Sequence, residues 1–388
     1  MEYQHGGDIY SHEIAFDYSA NINPLGLPDG VRRMLKECAE GEICSLYPDS
    51  ECRALREALA HYHKVPAEHI ICGNGAADLI FGLAVALRPE RGLVISPTFS
   101  EYEQALKIAG TSVDHLFLDE KDGFIPDVGR ICHRIHQAKE AQIPYDIVFL
   151  CNPNNPTGIP VRKEEVEALA RECHDSNALL VVDECFCDFM DERDACSVIP
   201  SLKDFKQLFV LKAFTKLYAM AGLRLGYGLS CNSQLMEALS QVRQPWSVSG
   251  LAQKAGEAAL KEKEYVNASR TLISRERQWL KGELEKMGFQ VYASRANYLL
   301  FRHLSGLKGK RGREEEEVFS KGWLYYRLLE EKVLIRSCSN YRGLDSSYYR
   351  ICVKTREENQ CLISHIRRVM ELEEQEKITW KRPGQKQL

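Results

Sequence analysis

A chain of 388 residues, 44% hydrophobic and 27% charged, is long enough for two domains or one large domain with a lobe, and its composition is that of an ordinary soluble globular protein. The formal charge of −4 supplies no basic face for nucleic acid, and no apolar run approaches the roughly 18–20 residues that a membrane span needs. Residues 1–5 lack the basic-then-apolar pattern of a secretory signal, so a cytoplasmic protein is expected.

Residues 1–48 are marked by glycine, proline and polar side chains, in His5-Gly6-Gly7 and again in Ser19-Ala20-Asn21-Ile22-Asn23-Pro24-Leu25-Gly26, and read as a loop-rich arm. Tyr47-Pro48-Asp49 closes it, and Asp49 or Ser50 is placed to cap a helix over 51–63. From residue 69 the pattern becomes strand, turn and helix, repeated. Ile70-Ile71-Cys72 runs into Gly73-Asn74-Gly75 and a helix over 76–87, and Leu93-Val94-Ile95 into Ser96-Pro97-Thr98-Phe99 and a helix over 102–109. Ile147-Val148-Phe149-Leu150 ends in Asn152-Pro153-Asn154-Asn155-Pro156-Thr157-Gly158, followed by a helix over 163–173. Leu179-Leu180-Val181-Val182 ends in Asp183-Glu184, and Leu208-Phe209-Val210-Leu211 ends near Lys216. Near-continuous apolar strands separated by helices predict a mainly parallel sheet covered on both faces.

Beyond residue 245 the pattern changes. Residues 251–284 read as helix; 290–301, 333–337 and 348–353 read as strands of a smaller lobe, with helices over 319–331 and 357–374. A basic block beside an acidic block at 308–317 reads as a solvated insertion, and the tail from Lys381 as frayed. The fourteen cysteines include no C-x-x-C pair, and several (Cys72, Cys151, Cys352) sit in or beside apolar runs; reduced cysteines packed as small hydrophobes fit this better than a zinc site or disulfides.

In a parallel sheet, ligands bind at the carboxyl ends of the strands, and Gly75, Phe99, Asn155, Asp183 and Lys216 all fall there. Lys216 can form a Schiff base with an aldehyde, and Arg224, further along the same turn, can hold a phosphate bidentately. Pyridoxal 5'-phosphate (PLP) offers both groups. Taken singly, each residue has a plainer reading: two solvated cations at a strand edge, a cap or ion pair for Asp183, turn chemistry for Asn155, core packing for Phe99.

The ordered set Gly73-Asn74-Gly75-Ala76, Asn155-Pro156-Thr157-Gly158, Asp183-Glu184 and Thr215-Lys216 with Gly222-Leu223-Arg224 resembles the fold-type I PLP enzymes of the class I/II aminotransferase family, over nearly the whole chain. The resemblance implies an α/β architecture: an arm with part of the small lobe (1–48), a large cofactor domain with a mainly parallel sheet (49–245), a bridging helix (246–286) and a small α+β domain (287–388). It implies that Lys216 carries the cofactor, that Asp183 meets the pyridine nitrogen and that Asn155 meets the ring hydroxyl. It further implies that Phe99 stacks and that Gly75, Ala76, Ala77, Thr215 and Arg224 hold the phosphate. Tyr47 resembles a tyrosine that reaches the partner subunit's cofactor, which implies a homodimer with shared sites.

A narrower likeness, carried by the N-terminal motifs, Pro245-Trp246-Ser247-Val248, Arg295-Ala296-Asn297-Tyr298 and Leu334-Ile335-Arg336-Ser337-Cys338, is to the branch that decarboxylates L-threonine O-3-phosphate in cobamide biosynthesis. That likeness implies a small phosphorylated amino acid as substrate, with His5, Gly6, Asn21, Asn155, Arg336 and Arg350 around it. A histidinol-phosphate-type aminotransferase, serine phosphate as substrate, and a PLP-binding protein without turnover stay open. Two departures stand out: Ala213 occupies a position where the family commonly has serine or threonine, and the 308–317 insertion has no expected counterpart. Phe186 stands where the aminotransferase branch normally has tyrosine, so Asn155 would lack that hydroxyl partner.

Overall fold

Alternating apolar residues in the strands sort onto two faces of one sheet, and this sorting builds the core. The computed structural model describes residues 5–192, 195–303 and 322–380. Its strands are β1 (Phe16–Asp17), β2 (Ile70–Gly73), β3 (Arg91–Ser96), β4 (Ser112–Phe117), β5 (Ile147–Cys151), β6 (Leu179–Asp183), β7 (Leu208–Ala213) and β8 (Gly226–Leu229), then β9 (Phe289–Val291), β10 (Tyr298–His303), β11 (Val333–Leu334), β12 (Arg336–Ser337) and β13 (Tyr348–Cys352). Seven of them form the large sheet, in the order β2-β8-β7-β6-β5-β3-β4. β8 alone runs antiparallel to its neighbours, so the sheet is mainly parallel, as expected.

Leu93, Val148, Leu150, Leu180, Val182 and Val210 face Ile131, Ile135, Val166 and Leu169 from the helices Val128–Glu140 and Lys163–Asp175. The intervening residues Val94, Phe149, Val181, Phe209 and Leu211 face Leu79, Leu83, Leu106 and Leu239 from the helices Ala76–Leu87, Ser100–Ile108 and Ser233–Val242. A period of two in the strands, with apolar residues on both phases, therefore means burial on both faces.

The smaller sheet is antiparallel, in the order β12-β13-β10-β9, and β1 pairs in parallel with β11. That last pairing ties the N-terminal segment to the small sheet: Tyr18 N–H donates to the Leu334 carbonyl and Cys352 N–H to the Tyr18 carbonyl. Several expected elements need correction. The segment 1–48 is not all loop; Asp29–Glu40 is a helix that buries Val31, and Glu42–Ser45 is a short 3-10 turn. The helix expected over 51–63 starts at Arg53, and its N-cap is Cys52 rather than Asp49 or Ser50; Asp49 Oδ2 still accepts from Arg53 N–H at 2.8 Å. The expected strand 290–301 is two strands, and 333–337 is broken at Ile335. The helical stretch 251–284 is two helices, Gly250–Ala259 and Lys263–Lys286. The charged insertion and the tail from Lys381 lie outside the described residues. No helix among the described residues is long and apolar enough to cross a membrane.

Candidate active site

The carboxyl ends of β2, β3, β5, β6 and β7 converge on a cavity of about 410 Å³. It is lined by His5, Gly6, Asn21, Ala76, Ala77, Phe99, Asn155, Asp183, Thr215, Lys216, Arg224, Arg336 and Arg350 among the residues expected from sequence. Gly75 adjoins it and Tyr47 does not line it; Tyr47 is 81% exposed, with its ring 4.5 Å from that of Trp246.

Two lysines lie near the end of β7, and their surroundings separate them. Lys212, on the strand, is 1% exposed, and its amine is 2.7 Å from Asp188 Oδ2 and 3.8 Å from Glu184 Oε2. Burial alone would lower its pKa; the Asp188 carboxylate reverses this and holds it above the ordinary lysine range. Glu184 is fixed in turn by Ser197 Oγ and Val198 N–H, each at 2.8 Å. Lys212 is thus a structural cation. Replacing it with methionine is expected to destabilise the fold by about 3–5 kcal/mol, because the fully buried Glu184 and the partly buried Asp188 would both lose the cation that balances them. Chemical denaturation measures this; a loss below about 1 kcal/mol would count against the structural role.

Lys216 lies past the strand end, where Phe214 N–H bonds the Leu225 carbonyl, and its amine stands 5.9 Å from the Phe186 ring centroid. Loss of solvent, and then the charge of Arg350, lower its pKa to about 8. That keeps a usable fraction of free amine near neutral pH, which Lys212 does not have.

Asp183, the last residue of β6, is 5% exposed and fully engaged. Tyr102 Oη donates to Oδ2 at 2.6 Å and Cys185 N–H to Oδ1 at 2.9 Å. These bonds give each carboxylate oxygen a donor in a site almost closed to solvent. Tyr102 comes from the helix Ser100–Ile108, whose N-cap is Phe99; the Phe99 and Tyr102 rings meet edge to face at 5.6 Å.

The anion cradle is built from two glycines and an arginine. Gly75 has φ +80° at the start of the helix Ala76–Leu87, and a Cβ there would fall 2.6 Å from Arg224 Nη2. At Gly226 a Cβ would fall 2.4 Å from Ala76 N, so only glycine lets β8 approach the helix start this closely. Free N–H groups at a helix N-terminus and an adjoining guanidinium suit a phosphate.

On the opposite wall, Arg336 and Arg350 are register partners on β12 and β13 and so share one face of the small sheet. Both are buried. Arg350 donates to Asn155 Oδ1, to the Ser19 carbonyl at 2.9 Å and to Tyr341 Oη at 3.2 Å. Arg336 donates to the Ser337 carbonyl at 2.7 Å and to Asn340 Oδ1 at 2.8 Å. Tyr341 Oη also donates to Asn155 Oδ1 at 3.3 Å. Tyr341 and Arg350 thus orient Asn155 in a chain whose Phe186 has no hydroxyl to offer. The next residue, Arg342, reaches Glu103 Oε2 at 2.6 Å and ties this loop to the helix Ser100–Ile108.

The N-terminal arm closes the last side. Gly7 N–H donates to Ser19 Oγ at 2.7 Å, and a Cβ on Gly6 would sit 2.3 Å from the Ser19 carbonyl oxygen. His5 Nε2 is 3.1 Å from Glu101 Oε1. Asn21 Oδ1 is buried without a hydrogen-bond partner among the described residues. Sequence reasoning did not find Tyr102, Tyr341 or Glu101. A helix was expected over 102–109; it begins at Ser100, so Glu101 fell outside the expected span, and nothing local marks either Tyr102 or Glu101 as a site residue.

A lysine past the end of one strand, an engaged carboxylate closing the next, an anion cradle at a helix start and a second, antiparallel sheet across the cavity define a fold-type I transferase. The chain belongs to the class I and II aminotransferase family, whose model matches residues 13–366. It is 36% identical over 378 residues to a threonine-phosphate decarboxylase of Salmonella typhimurium, covering 94% of this chain and 96% of that one. Among solved structures it resembles the histidinol-phosphate aminotransferase of Clostridium acetobutylicum, with a TM-score of 0.79, 31% identity, and 91% and 98% of the two chains covered. It also resembles the L-threonine-O-3-phosphate decarboxylase of Porphyromonas gingivalis, with a TM-score of 0.74, 26% identity, and 91% and 99% covered. The backbone alone therefore does not separate the two reactions.

Proposed function

We propose that this protein is a PLP-dependent decarboxylase of L-threonine O-3-phosphate, releasing (R)-1-amino-2-propanol phosphate for cobamide synthesis. The observation that carries this reading is the pair of buried arginines, Arg336 and Arg350, facing a lysine, an engaged aspartate and a separate anion cradle in one small cavity. With Arg224 given to the cofactor's phosphate, two guanidinium groups remain for a substrate with two anions. The likeness to a decarboxylase over nearly the full length supports the same choice.

The residues present fit the cofactor. Lys216 Nζ would bond its aldehyde carbon, Asp183 would face its ring nitrogen and Asn155 its ring hydroxyl. Phe99 would lie against the ring, and Gly75, Ala76, Ala77, Thr215 and Arg224 would hold its phosphate. Bound there, the cofactor supplies an electron sink for the bond broken at the substrate's Cα. Asp183, held in place by Tyr102 Oη and Cys185 N–H, would support that sink from the ring-nitrogen side. Arg336 and Arg350 grip both substrate anions at once and so fix which bond at Cα is presented. His5, Gly6 and Asn21 cover the substrate and exclude water. Lys216 Nζ, or a water, then returns a proton to Cα. The active form is a cytoplasmic homodimer, in which Tyr47 of one subunit completes the site of the other.

The test incubates the protein and PLP with O-phospho-L-threonine and follows carbon dioxide and aminopropanol phosphate by mass spectrometry. Conversion of the cofactor to its pyridoxamine form in stoichiometric amount, without carbon dioxide, would overturn the decarboxylase reading in favour of an aminotransferase. O-phospho-L-serine is expected to react with lower kcat/KM, by the ~1–3 kcal/mol that one methyl group discriminates.

A further inference from the structure

Of the groups lining the cavity, Glu101 runs against the sign of the two substrate anions that the arginine wall is built to hold. Its side chain is 9% exposed, Oε1 lies 3.1 Å from His5 Nε2, and Ser100 Oγ donates to Oε2 at 3.2 Å. The charged groups around the pair are Arg336, Lys216 and Arg350, and Tyr341 lies close enough to feel the Glu101 charge. A carboxyl and an imidazole at this distance titrate as one unit. When the pair holds one proton more than carboxylate plus neutral imidazole, that proton sits on one partner or the other, and in both cases His5 Nδ1 carries a hydrogen. When that proton leaves, the carboxylate retains the N–H at Nε2 and Nδ1 is left with a lone pair. A lone pair repels an anion; an N–H binds one.

We infer that Glu101 is a specificity-determining residue of this site: by holding His5 at Nε2 it makes His5 Nδ1 a donor to the substrate's phosphate only while the pair keeps its proton. The inference rests on the reading of the cavity as a phosphoamino-acid site. Burial of the pair, opposed at Glu101 and reinforced at His5 by the surrounding cations, places its titration close to neutrality. Burial raises Glu101 to about 7, while burial, followed by Arg336, Lys216 and Arg350, lowers His5. A bound phosphate favours the protonated pair, so affinity is full below the pair's titration and falls as pH rises through it. Glutamine at position 101 does not titrate, and its amide can turn to donate to Nε2, so Nδ1 can offer its hydrogen to a bound phosphate at every pH in this range.

The experiment uses holoenzyme whose cofactor has been fixed with borohydride, so that ligands bind without turnover. Calorimetric Kd values for O-phospho-L-threonine are compared between pH 7.5 and pH 9, where the phosphate is already a dianion because its second pKa is about 6. In the unmodified sequence Kd should rise about tenfold or more over this range, since each pH unit above the titration loses about a factor of ten. In Glu101→Gln the rise should be less than about threefold, with cofactor content unchanged as the check on folding. Threonine without phosphate should show no difference between the two proteins. An equal rise in both proteins, the same difference with plain threonine, or no binding of O-phospho-L-threonine would overturn the inference. Carbon dioxide release is scored separately: its absence together with the expected difference in slope would sink the proposed reaction and leave the Glu101–His5 pair standing.

Discussion

Lys216→Ala should abolish covalent capture of the cofactor and lower turnover by at least about 10²–10⁴-fold, the range for losing one positioned acid–base group. Borohydride added to the loaded protein should fix the cofactor on Lys216 and leave Lys212 unlabelled. The contrast follows from surroundings, not from sequence position, since the two lysines are four residues apart. Lys212 is sealed against Asp188 and Glu184, whereas Lys216 opens onto the cavity beside Arg350. The lowered pKa of Lys216, about 8, adds a second readout. Free amine is the reactive form, so the rate of cofactor uptake by the empty protein should climb with pH and level off above about 8. Removing the Arg350 charge takes away one cause of that lowering, so in Arg350→Gln the plateau should move to higher pH. A peptide map with the adduct on Lys212 would refute the assignment.

The parts of this fold that could be read from the sequence are those where one physical demand acts on neighbouring residues. Strands such as Leu208–Leu211 must be apolar on both phases because helices cover both faces, and the turn Gly73-Asn74-Gly75 must contain glycine because Leu79 crowds Gly73 and Arg224 crowds Gly75. β4 was missed because it is an edge strand: in Ser112–Phe117 only Leu116 is buried, so no apolar run marks it. The helix Asp29–Glu40 was hidden because it is largely solvated and opens with Pro28-Asp29-Gly30, which reads as a turn. The helix Val128–Glu140 had a signal, the helical spacing of Val128, Ile131, Ile135 and Ala138 behind the Asp127 cap. Within the site, Tyr102 is 81 residues from the Asp183 it bonds, and Tyr341 is 186 from Asn155. Such pairings depend on which strands become neighbours, and no local pattern encodes them. A motif named Asp183 and Asn155; the hydroxyls that hold them came only with the tertiary fold.

The second large effect concerns the two arginines. Replacing either Arg336 or Arg350 should reduce kcat/KM for O-phospho-L-threonine by 2–5 kcal/mol, the usual cost of removing one partner of a desolvated charge pair, or roughly 30- to 4,000-fold. Lysine should not rescue Arg350, because its fork reaches Asn155, Tyr341 and the Ser19 carbonyl together, and a single ammonium group cannot reproduce that geometry. The two losses should differ in kind. Arg350 is the charge that most lowers the pKa of Lys216, and it bonds Asn155, so it stands on the cofactor side of the cavity, near the position of Cα. Arg336 is the charge felt most strongly by His5 and Glu101, under the arm. Arg350 is therefore expected to hold the substrate's carboxylate and Arg336 its phosphate. Measured with threonine in place of its phosphate ester, the penalty of Arg336→Gln should shrink to near nothing, while that of Arg350→Gln should persist. Two register partners on neighbouring strands would then act on opposite ends of one small molecule. Equal penalties for both variants, with and without the phosphate, would show that the arginines act only in shaping the cavity wall, and would remove the main support for a substrate carrying two anions.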